Sequence, residues 1–312
     1  MIYDYAIIGG GPAGLNAALV LGRARRSIVL FDHNRPRNAV TYASHGFITR
    51  DGVTIPEFRR IAHEELGRYP SICMMHVEVT TVAKVDGVFT VHDTMGRCIH
   101  AKKLILATGV KEIFPQIEGF TPLYGKSLFN CVYCDGWELR DQPLVVVSEH
   151  AAGFHTAKLL FQWSNDLAVC TNGHSTLTHE QKMQLQSKGV KVIEQPIAAF
   201  IGHHGNLQQV RFADGTELAR SGGFVTPKFE QSAPFAEQLG CELTAAGGIK
   251  TEESGRTTIA GVYAAGDASS FSPSQVVFAA ADGSRIAMHI NRELTEEEFE
   301  RGGALDRTIS LW

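Results

Sequence analysis

The chain has 312 residues, of which 44% are hydrophobic and 20% are charged, and its formal net charge is −4. This length and composition are typical of a soluble globular protein with two domains. The small negative charge does not favour nucleic acid as the main partner, and no apolar run approaches the ~20 residues that a membrane span needs. The sequence starts with a strand pattern rather than a signal peptide, so we expect a cytoplasmic protein with no membrane partner.

The first part of the chain predicts a strand–helix–strand unit. An apolar strand at 4–8 is followed by a glycine-rich turn and a helical stretch at 15–25. A second strand at 28–31 ends at Asp32. The whole unit has about the 30 residues that a βαβ unit needs.

The middle of the chain repeats this order of elements after a hairpin-rich stretch at 77–100. This alternation of strands and helices predicts an α/β fold. The tail beyond Arg301, which ends at Trp312, is expected to be disordered because it follows two glycines, and a docked Trp312 is the alternative. The other predicted elements are strands at 103–107, 144–147, 167–171, 190–194 and 258–265, and helices at 152–163 and 276–291.

The turn after the first strand has the spacing of a dinucleotide-binding motif. Gly9 permits the tight turn, Gly11 lets the backbone approach a pyrophosphate, and Gly14 allows close packing of helix on strand. The pyrophosphate would lie at the N-terminus of the helix that begins near Pro12, and Asp32 is placed to accept hydrogen bonds from ribose hydroxyls. Because strand, helix and acid agree, the sequence favours a nucleotide site over a glycine-rich turn without a ligand.

Cys131 and Cys134, followed by Asp135, form a Cys-x-x-Cys motif with an adjacent carboxyl. Outside secreted proteins this spacing favours redox chemistry, in which one thiolate attacks and the other resolves. The carboxyl next to the dithiol is a plausible proton donor or acceptor, and a turn residue before Gly136 is the alternative. The other four cysteines have no motif spacing, and no second Cys/His pair indicates a metal site.

Two further strand-end motifs lie at Ala107-Thr108-Gly109 and at Gly266-Asp267. Together with the first glycine motif and the CVYCD segment, they make the whole chain similar to the low-molecular-weight thioredoxin reductase family of flavoproteins. In that family, both ends of the chain form an FAD domain, and a smaller pyridine-nucleotide domain is inserted between them. The resemblance therefore implies two Rossmann-like dinucleotide-binding domains. It places the first part of the FAD domain at 1–117, the inserted domain at 118–244 and the second part of the FAD domain at 245–312.

The resemblance also implies a role for each residue of the dithiol motif. Cys134 resembles the thiol that faces the flavin, Cys131 resembles the thiol that meets the substrate, and Asp135 resembles the acid that protonates a thiolate. It further implies a homodimer, and a partner that is a thioredoxin-like protein or a small-molecule dithiol or disulfide. In the family, the helix that starts after Pro273 lies over the flavin. The residues expected to hold FAD are Gly9, Gly11, Pro12, Ala13, Gly14, Asp32, Asn38, Ala107, Thr108, Gly109, Gly266, Asp267, Gln275 and Val276.

The second dinucleotide motif departs from the family pattern. After the strand at 144–147, the chain has Ser148 and His150 where glycines are expected, and only Gly153 of the three remains. A side chain at His150 would obstruct the approach of a pyrophosphate, and Glu149 places a negative charge where phosphates would lie. No arginine follows the next strand to hold the 2′-phosphate of NADPH. The sequence therefore predicts loss of tight NADPH binding, with weak binding by a tolerant loop as the alternative.

Three other segments resemble a divergent branch of the family, namely Arg35-Pro36-Arg37-Asn38, His45-Gly46-Phe47 and Arg50-Asp51-Gly52. That branch includes dithiol oxidases that close disulfides in natural products such as gliotoxin, holomycin and romidepsin. Those oxidases have a histidine after the second cysteine, where this chain has Asp135, and other relatives without the NADPH motif take electrons from ferredoxin.

We therefore predict an FAD-dependent dithiol–disulfide oxidoreductase that uses NADPH poorly and takes electrons from ferredoxin or another donor. Three alternatives stay open. They are an NADPH-dependent thioredoxin reductase, an oxygen-dependent dithiol oxidase of a small molecule, and a flavin-bound redox sensor.

Overall fold

The structure is a computed structural model that describes residues 1–271 and 274–301. The tail that ends at Trp312 and the expected helix start at Pro273 lie outside these residues. The described chain forms two compact units. The first comprises 1–37, 56–111 and the residues from 229 onward, and the second comprises 38–55 and 112–228. Within the described residues, no helix combines the length and the apolar character needed to cross a membrane.

The described elements alternate between strands and helices along most of the chain. The strands are β1 (Ile2–Ile8), β2 (Ile28–Phe31), β3 (Ala43–Ser44), β4 (Val53–Thr54), β5 (Ile72–Met75), β6 (Val79–Val85), β7 (Val88–Asp93), β8 (Cys98–Leu106), β9 (Val110–Ile113), β10 (Leu128–Phe129), β11 (Leu144–Val147), β12 (Leu167–Cys170), β13 (Lys191–Ile193), β14 (Ile197–His203), β15 (Asn206–Phe212), β16 (Glu217–Ala219), β17 (Gly222–Val225), β18 (Lys228–Gln231) and β19 (Val262–Ala264). The helices are α1 (Pro12–Arg23), α2 (Ile55–Leu66), α3 (Val132–Asp135), α4 (Ala152–Leu160), α5 (His179–Ser187), α6 (Phe235–Gln238) and α7 (Val276–Glu300).

The first unit is built on one sheet with the strand order β5-β2-β1-β8-β7-β6, and β19 also pairs with β8. Strands β5, β2, β1, β8 and β19 are parallel, whereas β6, β7 and β8 form an antiparallel meander. Alternate residues of β1 serve the two faces. Tyr5 and Ile7 pack in the core that contains α1 and α7, and Ala6 and Ile8 pack in the core on the other face. A strand that is buried on both sides is what a parallel sheet with two covered faces requires.

The second unit repeats this plan on a smaller scale. Its parallel sheet has the order β10-β17-β11-β12-β13, and an antiparallel sheet of β14, β15 and β16 follows in the chain. Strand β11 is buried along its whole length, with Leu144 and Val146 in the core that contains α4 and Val145 and Val147 in a second core. The predicted α/β class and the repeated strand–helix–strand order are therefore confirmed.

The compact units do not coincide with the domain boundaries that we expected at 117 and 244. Residues 229–244 belong to the first unit, because Phe235 and Cys241 pack in the core of its large sheet. The segment 38–55 belongs to the second unit, where the backbone of Val40 lies so close to Gly125 that a Cβ on this glycine would be 2.2 Å from the Val40 carbonyl oxygen. Such contacts join residues that are far apart in sequence, so local patterns do not reveal them.

Candidate active site

The two motif cysteines form a disulfide at the start of a short helix in the second unit. Cys131 precedes α3 in an extended conformation, and Cys134 lies on the helix, with a Cα–Cα distance of 5.3 Å between them. The amides of Cys134 and Asp135 both donate to the carbonyl oxygen of Cys131. Val132 anchors this turn because its side chain is buried in the core of the unit. Both cysteines are half-buried, so the turn keeps the disulfide at the surface.

Asp135 lies on the buried side of this turn, with 9% of its surface exposed. Burial, and then the negative charge of Glu138, raise the pKa of the Asp135 carboxyl to about 7. No lysine or arginine of the described residues pairs with this carboxyl at ion-pair distance. A buried carboxyl without a cation favours its protonated form. Asp135 can therefore hold a proton beside the dithiol near neutral pH.

The segment that carries the dithiol also carries exposed aromatic residues. Tyr133, between the two cysteines, is 66% exposed and its ring meets Trp163 edge-on at a centroid distance of 5.7 Å. Trp137 is 65% exposed, and the guanidinium of Arg140 lies 4.1 Å from its ring centroid. Gly136 packs against Trp163, since a Cβ there would be 3.3 Å from the indole. Exposed aromatic side chains thus lie next to the half-buried cysteines in the chain.

The glycine-rich turn of the first unit forms a cradle at the carboxyl edge of the large sheet. A Cβ on Gly9 would be 2.1 Å from the carbonyl oxygen of Ala107, and a Cβ on Gly14 would be 1.9 Å from the carbonyl oxygen of Gly9. A Cβ on Gly11 would have no atom within 4 Å. The backbone before α1, which starts at Pro12, is therefore open, as a pyrophosphate at a helix N-terminus requires. These residues fit the expected FAD.

Asp32 follows β2 as predicted, but an arginine already engages it. The buried Arg59 of α2 pairs with the Asp32 carboxylate, and its guanidinium also donates to the carbonyl oxygen of Gly10 at 2.8 Å and to the Asn34 side chain at 2.9 Å. The Asn34 amide donates to the second Asp32 oxygen at 2.9 Å. Sequence reasoning missed Arg59 because it lies on a helix 27 residues away and matches no motif.

Asp267 has a similar partner. The guanidinium of Arg37 lies 2.9 Å from its carboxylate, and the Ser274 hydroxyl also contacts it. Gln275 caps α7 without a side-chain hydrogen bond, and Val276 is the first residue of that helix. The sequence indicated Arg37 only as part of a segment that resembles a divergent branch, and the structure shows that it contacts Asp267.

The structure brings most of the predicted cofactor residues to one edge of the first unit. Gly266 approaches Ala13, since a Cβ on Gly266 would be 2.9 Å from the Ala13 Cβ. Thr108 and Gly109 follow β8 at the same edge, where both carbonyl oxygens accept from the Ser232 hydroxyl. Asn38 belongs to the second unit, and its part in holding the cofactor stays a prediction.

The loop after β11 in the second unit is filled by its own side chains. The Ser148 hydroxyl donates to the carbonyl oxygen of His150 at 2.8 Å and accepts from the Thr226 hydroxyl at 2.6 Å. The Asn172 side chain donates to the Glu149 carboxylate at 2.7 Å. The surviving Gly153 packs α4 on the loop, because a Cβ there would be 2.8 Å from the Ser148 Cβ.

Comparison with known proteins agrees with this arrangement of motifs. The family model described as pyridine nucleotide-disulphide oxidoreductase matches residues 3–283. The chain belongs to this family. Members bind FAD, and the thioredoxin reductase homologues below support a disulfide oxidoreductase enzyme of the thioredoxin reductase-like kind.

Several known members of this family resemble the chain over nearly its whole length. A probable thioredoxin reductase of Arthroderma benhamiae is 31% identical over 99% of this chain and 84% of its own length. The structure of a putative thioredoxin reductase TrxB from Bacillus anthracis is 43% identical, with a TM-score of 0.92, and the match covers 95% of this chain and 100% of that one. The structure of HlmI is 34% identical, with a TM-score of 0.91, and covers 96% of this chain and 95% of its own.

Replacement of Gly11 separates cofactor binding from folding. We expect Gly11→Leu to fold, because space is open around the new side chain, but to bind FAD at least about 100-fold more weakly, since the side chain fills the pyrophosphate position. The measurements are the flavin content of the purified protein and its melting temperature. Gly14→Leu is the contrast, because its side chain would meet the Gly9 carbonyl oxygen and prevent folding. A Gly11→Leu protein with stoichiometric FAD would contradict the assignment of this cradle.

Replacement of Asp135 should have a pH-dependent effect on stability. The raised pKa of about 7 means that the unfolded chain loses this proton at lower pH than the native protein, so native stability falls as pH rises from about 4 to about 7. Asp135→Asn removes this loss. We expect its gain in unfolding free energy, measured by urea unfolding of the oxidised protein, to be near zero at pH 4 and to reach up to about 4 kcal/mol at pH 8. Asp86→Asn, in an exposed hairpin turn, is the control, and an equal gain for Asp135→Asn at both pH values would refute the prediction.

Proposed function

We propose that this protein is an FAD-dependent dithiol–disulfide oxidoreductase that exchanges electrons through Cys131 and Cys134 and uses NADPH poorly. The observation that carries this proposal is the surface disulfide on α3 with a buried carboxyl beside it. The donor in this proposal is ferredoxin or another carrier, and the partner is a thioredoxin-like protein or a small-molecule dithiol or disulfide. A homodimer and a cytoplasmic location complete the proposal.

In this proposal Cys131 meets the substrate and Cys134 faces the flavin, as the family resemblance implies. In the reducing direction, the Cys131 thiolate attacks a substrate disulfide, a mixed disulfide forms, and one substrate sulfur leaves as a thiolate. The Cys134 thiolate then attacks the Cys131 sulfur, which closes the internal disulfide and releases the second substrate thiolate. Two electrons pass from the dithiol to the substrate, and bound FAD supplies the two-electron couple that restores the dithiol. The oxidising direction is the same sequence in reverse.

Asp135 supplies the proton that this exchange needs. A departing substrate thiolate takes the proton from the Asp135 carboxyl, and in the reverse direction the Asp135 carboxylate accepts it from an incoming thiol. Because the pKa of Asp135 is about 7, both the protonated and the ionised carboxyl are present at neutral pH. General acid–base catalysis favours a group whose pKa lies near the operating pH.

The loop after β11 supports weak use of NADPH. A phosphate held at this turn would need open backbone like that at Gly11, but the Ser148 hydroxyl bridges His150 and Thr226 across the loop. The Glu149 carboxylate is fixed by Asn172, and His174 lies 3.8 Å from it. A nucleotide would have to displace these bonds and bring its phosphates beside a carboxylate.

An NADPH-dependent thioredoxin reductase is the second candidate. The names of the relatives favour it, since the matched proteins include a probable and a putative thioredoxin reductase. The two candidates share the dithiol chemistry and differ in the electron donor. A test of the dithiol and a separate test of the donor therefore distinguish them.

The dithiol test uses serine variants of the motif. Dithiothreitol should bleach the flavin of the anaerobic wild-type protein through Cys131 and Cys134, and either Cys131→Ser or Cys134→Ser should slow this bleaching at least about 1,000-fold, because neither single thiol can complete the exchange. Cys98→Ser, at an exposed cysteine of the first unit, should behave like the wild type. Normal bleaching in both motif variants would mean that the disulfide is structural.

The donor test concerns the loop at Ser148. Micromolar NADPH or NADH should reduce the wild-type flavin slowly or not at all, as followed by its visible absorbance under anaerobic conditions. Replacing both Ser148 and His150 by Gly should speed reduction by either nucleotide about 10-fold or more, because it removes the obstruction at the pyrophosphate position. Rapid, saturable reduction of the wild-type flavin by NADPH would favour the second candidate.

A further inference from the structure

His45 belongs to a hairpin that is distant in sequence from the dithiol. Strands β3 and β4 pair on either side of the turn at 45–52, and the Gly46 amide donates to the Asp51 carboxylate at 2.9 Å. Gly46 and Gly52 have φ values of 78° and 76°, a conformation that favours glycine. The turn therefore holds His45 in one place, with about a quarter of its side chain exposed.

The imidazole of His45 lies between two carboxylates of the second unit. Its Nδ1 is 3.6 Å from an Asp51 oxygen, and its Nε2 is 3.7 Å from a Glu138 oxygen. Asp51 is on the same hairpin, whereas Glu138 follows α3, three residues after Asp135. The buried Leu139 fixes the chain next to Glu138. One ring thus connects the hairpin to the segment that carries the dithiol.

Glu138 is the charged neighbour that influences Asp135. Its negative charge adds to burial in disfavouring the ionised form of the Asp135 carboxyl. Among the described residues, the carboxylates at ion-pair distance from His45 are those of Asp51 and Glu138, while the guanidinium of Arg140 stacks on Trp137. The His45 Nε2 lies 3.7 Å from the Glu138 carboxylate, and an imidazolium at this distance offsets part of the negative charge.

We propose that His45 is a positioning residue for the dithiol reaction, which holds the Glu138 carboxylate and sets the charge that Asp135 experiences. The inference rests on the proposed function only for its role in turnover, since the contact of His45 with Glu138 is present in the resting protein. His45 touches neither sulfur and acts through Glu138.

The two side chains should shift the protonation midpoint of Asp135 in opposite directions. Glu138→Gln removes a negative charge, so the midpoint should fall. His45→Leu removes the group that offsets this charge, so the midpoint should rise, by roughly half a pH unit for an array that is partly open to solvent. The double variant should match Glu138→Gln alone, because His45 acts only through Glu138.

The experiment is an infrared pH titration of the oxidised holoprotein, in which the carboxyl band that disappears in Asp135→Asn reports Asp135. His179→Leu, at an exposed histidine of α5, is the control, and melting temperatures check that each variant is folded. The expected result is a rise for His45→Leu, a fall for Glu138→Gln and no further change in the double variant. An unchanged midpoint in His45→Leu, or a rise in the double variant relative to Glu138→Gln, would overturn the inference.

Bleaching by dithiothreitol as a function of pH distinguishes this inference from the proposed function. At low pH the bleaching rate should rise with pH, and the midpoint of this rise can be compared with the infrared midpoint of Asp135 in each variant. If the two midpoints shift together, His45 acts on the reaction through Asp135. If Cys131→Ser and Cys134→Ser bleach as fast as the wild type, the proposed function fails. The infrared midpoints still decide whether His45 influences Asp135. If the midpoints shift but the rates do not follow them, the role of His45 in turnover is refuted.

Discussion

Close contact between backbone atoms at glycine positions is the constraint on which the fold and the cofactor cradle both depend. In the first unit, Gly14 lets α1 lie against the turn after β1, and Gly283 lets α7 lie against α1, since a Cβ on Gly283 would be 2.1 Å from the Ala13 carbonyl oxygen. The second unit retains this packing contact at Gly153. The other two glycines of the motif are replaced by Ser148 and His150. The strand–helix contact at Gly153 is kept, while the Ser148 hydroxyl bridges His150 and Thr226 across the loop.

The acidic side chains of the two units meet different environments. The buried Asp32 and the half-buried Asp267 each contact an arginine, and a carboxylate with a guanidinium partner is suited to a fixed role in recognition. Asp135 is buried beside a second carboxyl, which raises its pKa to about 7. An aspartate that contacts an arginine is therefore suited to recognition, whereas Asp135, with its raised pKa, is suited to proton exchange.

Local sequence patterns predicted the elements that carry short-range signals. The turn at Gly9–Gly14, the strand at 144–147 and the start of α7 at Val276 all appear where the sequence indicated. The end of the predicted hairpin stretch and the strand predicted at 103–107 instead form one long strand, β8. Its pairing with β1 extends from His100 to Leu106. Glycine spacing and apolar runs act over one turn or one strand, so they fix the type of an element better than its ends.

The contacts that complete the candidate site could not be predicted in this way. Arg59 reaches Asp32 from another element, and His45 reaches Glu138 across about 90 residues of chain. Each depends on tertiary packing, which leaves no periodic signal in the sequence. Arg37 and His45 both stood in segments that resemble a divergent branch, but the resemblance gave no partner for either side chain.

In the proposed dithiol exchange, the raised pKa of Asp135 suits electron flow in both directions. Below pH 7 the carboxyl holds its proton and can neutralise a departing thiolate, and above pH 7 the carboxylate can accept a proton from an entering thiol. A thiol gains in thiolate fraction as pH rises, while the acid form of Asp135 declines. In the proposed exchange these opposed trends would limit the rate at both ends of the pH range. The direction of electron flow would depend on the reduction potentials of the donor and the substrate, because these set the equilibrium of the exchange.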